Sequence, residues 1–229
     1  MSENQTRDKF EEGIFWELYL DLERQFENFL EYVPYMEGNE NTYSFRLLNL
    51  VLSIGGYIDS AFKEMARFPR FSEDEACKNI QKRAREHLGI IASGVDAFDT
   101  IYGISTKKVS FKFIPKREEV TPFSRSVPEW WTFYNDLKHE VGFNIKKANL
   151  RNTRDALAGA FLLNVVHEPA VLRLHDYHVL RVRYAENEFG KSTRDSGFAR
   201  DQIRKILFEN NQKYAFVVET PVFEYRYEQ

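Results

Sequence analysis

Six consecutive residues, Tyr134-Asn135-Asp136-Leu137-Lys138-His139, bring together the side chains best suited to chemistry in this chain. A histidine titrates near neutral pH and exchanges protons as general acid or base. An asparagine one helical turn earlier can fix a phosphate or an attacking hydroxyl, and Lys138 supplies positive charge for an anionic substrate. Asn135, Lys138 and His139 are therefore the candidate catalytic residues. The same spacing also suits a hydrogen-bonded Asn135–His139 pair that only stabilises a helix. Just downstream, Lys138, Lys146, Lys147, Arg151 and Arg154 face Glu140 as the single acid of residues 138–154. Lys146, Lys147, Arg151 and Arg154 make a candidate surface for an anionic polymer such as RNA, although a solvated basic face is the plainer explanation.

These residues need an element to hold them, and the spacing predicts a helix from Ser126 to Val141. Ser126 and Glu129 match a capping box, Pro128 suits the first turn, and Gly142 is a stop. At about 3.6 residues per turn, Trp131, Asn135, Lys138 and His139 share one side, with Trp130, Tyr134, Leu137 and Val141 opposite. One face would anchor in a core while the other presents polar chemistry.

Other chemistry-bearing patterns are weaker. Residues 185–192, Ala-Glu-Asn-Glu-Phe-Gly-Lys-Ser, match the end of a phosphate-binding loop but lack its first glycine. They also carry Glu186 and Glu188 where phosphates would sit, and no apolar helix follows. His167, His175, Asp176 and His178 could ligate a metal, but on a strand His175 and His178 point to opposite faces, so no metal site is expected. Arg83 and His87 read as a solvated helix face, and the single Cys77 has no activating context and forms no internal disulfide. No cofactor is expected.

The 229 residues can bury a sizeable core, and 20 Phe and 12 Tyr should dominate it. The net charge of -3 is uneven, with eleven acids in residues 1–40 against Arg7, Lys9 and Arg24. Apolar residues at steps of three and four predict a helix through Phe15, Leu18, Leu22, Phe26, Phe29, Leu30 and Val33, ended by Pro34. A second runs from Tyr43 to Phe68, with Phe45 on its widened apolar face and Gly55-Gly56 marking a kink or the close approach of a neighbouring helix. A third follows a Ser72–Glu75 capping box to about Ile101. Phe111 and Phe113 alternate with polar residues as a short extended segment, and residues 115–122 read as a connection. Asn149 or Asn152 would cap a very apolar helix ending at His167-Glu168-Pro169.

After residue 170 the period shifts to two. Val171–Leu174, Val179–Tyr184, Tyr214–Val218 and Val222–Tyr227 read as strands, with a short helix over Asp201–Leu207. The fold class is thus mainly α, an antiparallel bundle of four to five helices with a small C-terminal antiparallel β appendage, α+β overall. The expected domains are residues 1–170, the helical bundle, and 171–229, the β-rich appendage.

With these elements in place, the layout resembles the HEPN superfamily, helical bundles of prokaryotic toxin and defence systems and of some eukaryotic nucleases. The family signature is an arginine, a polar residue, a few further residues and a histidine on a late helix of the bundle. Asn135 and His139 fit the polar residue and the histidine, while Tyr134 stands in the arginine's place. The resemblance covers roughly residues 8–168 and implies a metal-independent endoribonuclease, or a degenerate RNA-binding relative, commonly acting as a homodimer. The alternative is a non-enzymatic protein-interaction or dimerisation module. With no apolar signal core or membrane-length apolar run, the expected location is cytoplasmic, with no membrane partner.

Overall fold

A computed structural model of the protein describes residues 13–65, 105–125, 127–167, 180–184 and 214–228, together with Lys78, Val95, Asp99, Ala170, Val171, Leu174 and Tyr177. The protein is α+β, mostly helical with a small antiparallel sheet. Helix α1, Ile14–Leu30, starts behind Gly13, whose φ of 84° suits a residue without Cβ. Its buried face carries Phe15, Trp16, Tyr19, Leu22, Glu23, Phe26 and Phe29. Leu18, expected on that face, is exposed instead. The larger rings of Trp16 and Tyr19, in the neighbouring row, rotate the stripe toward themselves.

Helix α2, Phe45–Met65, starts where Ser44 Oγ accepts the Leu47 amide at 3.1 Å, a cap of the preferred type. Leu47, Val51, Ile54, Ile58, Ala61 and Met65 form its buried stripe as the spacing predicts. Phe45 departs from the expectation. At the first turn it lies beyond the packed neighbours and is 77 % exposed. The predicted third helix, with its cap and Cys77, lies outside the described residues except at helical Lys78, Val95 and Asp99. Asp99 Oδ1 accepts the Thr106 amide at 2.9 Å.

Further helices among the described residues are α3, Glu129–His139, the one-turn α4, Val141–Asn144, and α5, Leu150–Val166. Asn149 caps α5, its side chain accepting the Asn152 amide at 2.9 Å. Most of α5 is buried, including Ala156, Leu157, Ala160, Phe161 and Leu163, so it runs through the centre of the molecule.

The sheet has the order β2-β1-β5-β4-β3, antiparallel throughout: β1, Phe111–Phe113; β2, Glu118–Val120; β3, Leu180–Tyr184; β4, Tyr214–Glu219; β5, Phe223–Glu228. Two corrections concern strands. Residues 118–120, read as connection, form β2, and Val171 and Leu174, read as strand, are helical. The four residues Val-Leu-Arg-Leu are too few to carry a decisive period, and Val171 and Leu174 are buried as helix instead. Arg117 turns the β1–β2 hairpin with φ 55°.

Phe161 of α5 joins the layers. Tyr19, Phe111 and Phe223 surround it at ring-centroid distances of 5.6, 5.1 and 5.5 Å. Each such ring contributes roughly 1.5–3 kcal/mol through burial. One hydrophobic cluster therefore extends from α1 through α5 to β5, crossing residue 170 where the sequence period changes.

Candidate functional site

Helix α3 carries the candidate residues, and two glycines set its seat. The Tyr134 ring lies on Gly55 of α2 so closely that a Cβ there would come within 2.2 Å of Tyr134 Cδ2. The Trp130 ring lies on Gly159 of α5, where a Cβ would come within 2.8 Å of Cζ2. Trp130 Nε1 also donates to the Pro122 carbonyl at 2.7 Å. Gly55 thus marks the approach of a neighbouring helix, as its place in an apolar helix suggested, whereas Gly56 has open space around its Cα.

The helix is shorter than its sequence signals suggest. Pro128 occupies the N-cap position in extended backbone rather than the first turn, and Ser126 lies outside the described residues. Glu129 turns back to Arg125 at 2.9 Å. The C-terminus comes at His139, three residues before Gly142, which instead sits inside α4. There Asn144 Nδ2 donates to the Glu140 carbonyl at 3.0 Å and to that of Asp136 at 3.4 Å, satisfying groups a helix end leaves open.

The two faces also differ from expectation. Trp130, Tyr134 and Leu137 are buried as predicted, but so is Trp131, which packs edge-on to Trp130 at 5.9 Å and against Tyr134 at 5.0 Å. Val141, assigned to the apolar face, is exposed because the helix stops before it. The polar side narrows to Asn135, Lys138 and His139. Asn135 Nδ2 donates to the Trp131 carbonyl of its own helix at 3.1 Å. Lys138 and His139 are exposed. Lys138 Nζ lies 5.8 Å from the Tyr134 ring centroid. No side-chain hydrogen bond joins Asn135 to His139, and the His139 ring makes none to any described residue. Tyr134, in the arginine's place, is only 6 % exposed. Burial, then Asp59, pushes its phenol pKa up, so the ring stays neutral.

The basic residues divide into two groups. Lys147 Nζ pairs with Asp136 Oδ2 at 2.6 Å and lies over the Phe133 ring, which folds the turn carrying exposed Lys146 against the end of α3. Arg151 and Arg154 belong elsewhere. Arg151 Nε donates to Glu40 Oε2 at 3.0 Å, while Arg154 pairs with Glu118 and with Asp155 at 2.6 Å and rests on the rings of Tyr35 and Phe113. The stretch 146–154 is therefore not one open basic stripe. Lys146 is exposed in the turn after α3, as Lys138 and His139 are at its end, whereas Arg151 and Arg154 serve an ion-pair network.

Two features had no clear sequence signal. Phe143, in α4, is 93 % exposed. Glu23 lies buried on the apolar face of α1, where only its step of four from Tyr19 hinted at an internal position. Among the described residues no group of three or more His, Cys, Asp or Glu side chains is placed to hold a metal. Residues 185–192, His175, Asp176, His178, Arg83 and His87 lie outside the described set, as does the helix expected over Asp201–Leu207. Among the described residues no helix is long and apolar enough to cross a membrane.

Comparison of the chain with protein-family models, with curated proteins and with solved structures finds no match in any of the three.

Proposed function

We propose that the protein is a catalytically silent, HEPN-like interaction module whose contact surface is the end of α3 with the turn that follows. The observation that carries this reading is Tyr134. Metal-independent cleavage of the resembled kind needs a guanidinium beside the histidine to stabilise charge on the phosphate. The corresponding side chain here is a neutral ring packed on Gly55 inside the bundle. His139 is left as a lone acid or base with no orienting partner among the described residues, and Asn135 is committed to its own helix. The surface that remains presents Val141 and Phe143 with Lys138, His139 and Lys146. Its chemistry suits a protein surface with an apolar hollow and an acidic rim, a second copy of this chain included.

A second reading keeps the RNA but not the cleavage. An exposed aromatic ring flanked by cations can stack on a base of single-stranded RNA while the cations contact phosphates. Incubation of purified protein with mixed RNA and a chelator separates these readings from the nuclease. No cleavage is expected, and cleavage abolished in His139→Ala would overturn the silent assignment. Anisotropy with labelled single-stranded RNA then decides between the two. Salt-sensitive binding lost in a Lys138→Ala, Lys146→Ala double variant supports the RNA reading. Sedimentation showing self-association lost in Phe143→Ser supports the protein one.

A further inference from the structure

Phe111, Phe113, Phe223 and Tyr225 join the core, so the residues that alternate with them project from the other face of the sheet. On that face β2, β1 and β5 place Glu119, Lys112 and Glu224 in one cross-strand row. Ser110 and Arg226 come two residues along from Lys112 and Glu224 and share their face. Together these five side chains line a cavity of about 460 Å³, within the range of roughly 300–1,000 Å³ usual for small-molecule sites. All five are polar or charged.

The charges in this cavity do not satisfy one another. An acid and a base directly opposite across two strands ordinarily attract. Lys112 has an acid on either side, yet it turns from Glu119 to Glu224, and even there stands at 3.9 Å. Arg226 gives Glu224 its Nε at 2.8 Å, and not the Nη1–Nη2 edge with which a guanidinium clasps a carboxylate in two-pronged fashion. Both cations meet the same oxygen, Oε1, of Glu224, the deepest of the three side chains at 12 % exposure. The Glu119 carboxylate and the Ser110 hydroxyl make no hydrogen bond or ion pair with any described residue. One end of the cavity therefore gathers two cations and a hydroxyl, and the other presents an unmatched carboxylate.

We propose that this cavity binds a short zwitterionic peptide, its carboxylate held by Lys112, Arg226 and Ser110 and its ammonium by Glu119. Lys112 and Arg226 balance Glu119 and Glu224, and a lining with no net charge suits a ligand that carries both signs better than a simple anion or cation. The want of an apolar or aromatic wall suits a ligand whose own surface is mostly amide. Reach sets its length. Strands stand about 4.8 Å apart, so Glu119 on β2 and Arg226 on β5 are separated by two spacings, about 10 Å. The ammonium and carboxylate of a free α-amino acid flank a single carbon, whereas an extended chain of three residues covers about 10 Å. Glu224 is a positioning residue, keeping the two cations side by side against their mutual repulsion. The site shares no residue with the surface at the end of α3.

Titration of the full chain with triglycine, followed by amide chemical shifts, tests the assignment against N-acetyltriglycine, triglycinamide and free glycine. Triglycine should give saturable shifts in β1, β2 and β5. Capping either end should weaken binding by about two- to fivefold, the range for one exposed ion pair, and glycine should bind more weakly than triglycine. Glu119→Gln gives the decisive comparison, because it removes a carboxylate with no partner among the described residues. The variant should bind triglycine as weakly as wild type binds N-acetyltriglycine, and should bind N-acetyltriglycine as wild type does. Arg226→Gln should show the mirror pattern with triglycinamide. Should Arg226→Gln disturb the sheet, the Glu119→Gln comparison decides alone. Absence of saturable shifts with triglycine overturns the proposal, as do capped peptides or glycine that bind as well as triglycine, or a Glu119→Gln variant that loses affinity equally for the free and acetylated peptides.

Discussion

Gly55 and Gly56 form a natural experiment on adjacent positions of one helix. An alanine at Gly55 drives its Cβ into the Tyr134 ring, including the immovable base of that ring at Cγ, 2.6 Å away. We expect Gly55→Ala to destabilise by about 1–3 kcal/mol, the usual range for overpacking. Gly56→Ala meets nothing within 4 Å and should stabilise by up to about 1 kcal/mol through helix propensity. Urea midpoints at constant m-value measure both. Tyr134→Arg probes the same contact from the other side: it buries a guanidinium where a ring packed, so the melting temperature should fall and no RNA cleavage should appear. At this scale the sequence was legible where a residue type admits one main use. The Gly55-Gly56 pair in an apolar helix implied a kink or a close approach, and Tyr134 and Leu137 fell on the inward face by spacing alone. Trp131 and Glu23 were not legible, because how wide an arc of a helix is covered depends on partners far away in the chain.

The elements are tied at their ends and by a few shared rings. Asn149→Ala removes the cap of α5 and should cost about 1 kcal/mol, read as a shift in denaturant midpoint. Phe161→Ala empties the contact among α1, α5 and the sheet, and should cost about 3–5 kcal/mol. The long helices could be read directly because their apolar period repeats over several turns. The strand β2 could not. Glu118 and Glu119 look like linker chemistry, yet they form strand opposite Phe113 and Lys112 of β1, where Glu118 also meets Arg154 and Lys116. Likewise, the break after His139 depends on Asn144 reaching back to the end of α3, which no local signal in Gly142 announces.

Across the whole molecule, charge does more to join segments than to form an open patch. Glu40 receives Lys116 at 2.6 Å and also Arg151, while Lys116 reaches Glu118 at 3.2 Å. The turn before α2, the β1–β2 hairpin and the start of α5 are thereby joined. Hydrogen bonds from Lys116 and then Arg151 bring the Glu40 carboxyl from 4.5 down to about 2. A lowered folded pKa means that this contribution is present above about 4.5 and lost as pH falls through about 2. Glu40→Gln should therefore be less stable than wild type at neutral pH, and the difference should shrink on acidification, as followed by circular dichroism. The basic run of residues 146–154 looked continuous because sequence places cations side by side without showing which acids from residues 40 and 118 come to meet them.

The order of the sheet has a consequence for how the chain reaches this state. Strand β1 pairs with β5, Lys112 lying opposite Glu224, so its second edge stays open until the last strand is made. During synthesis α1, α2 and α5 emerge first, and Phe111, Phe113 and Phe161 wait without the cover of Phe223. Closing so long a loop is slow, and an unpaired strand edge beside bare phenyl rings is a template for another chain. A nascent or clipped chain lacking the final hairpin is thus the species most prone to aggregate, and the one a chaperone would have most reason to hold.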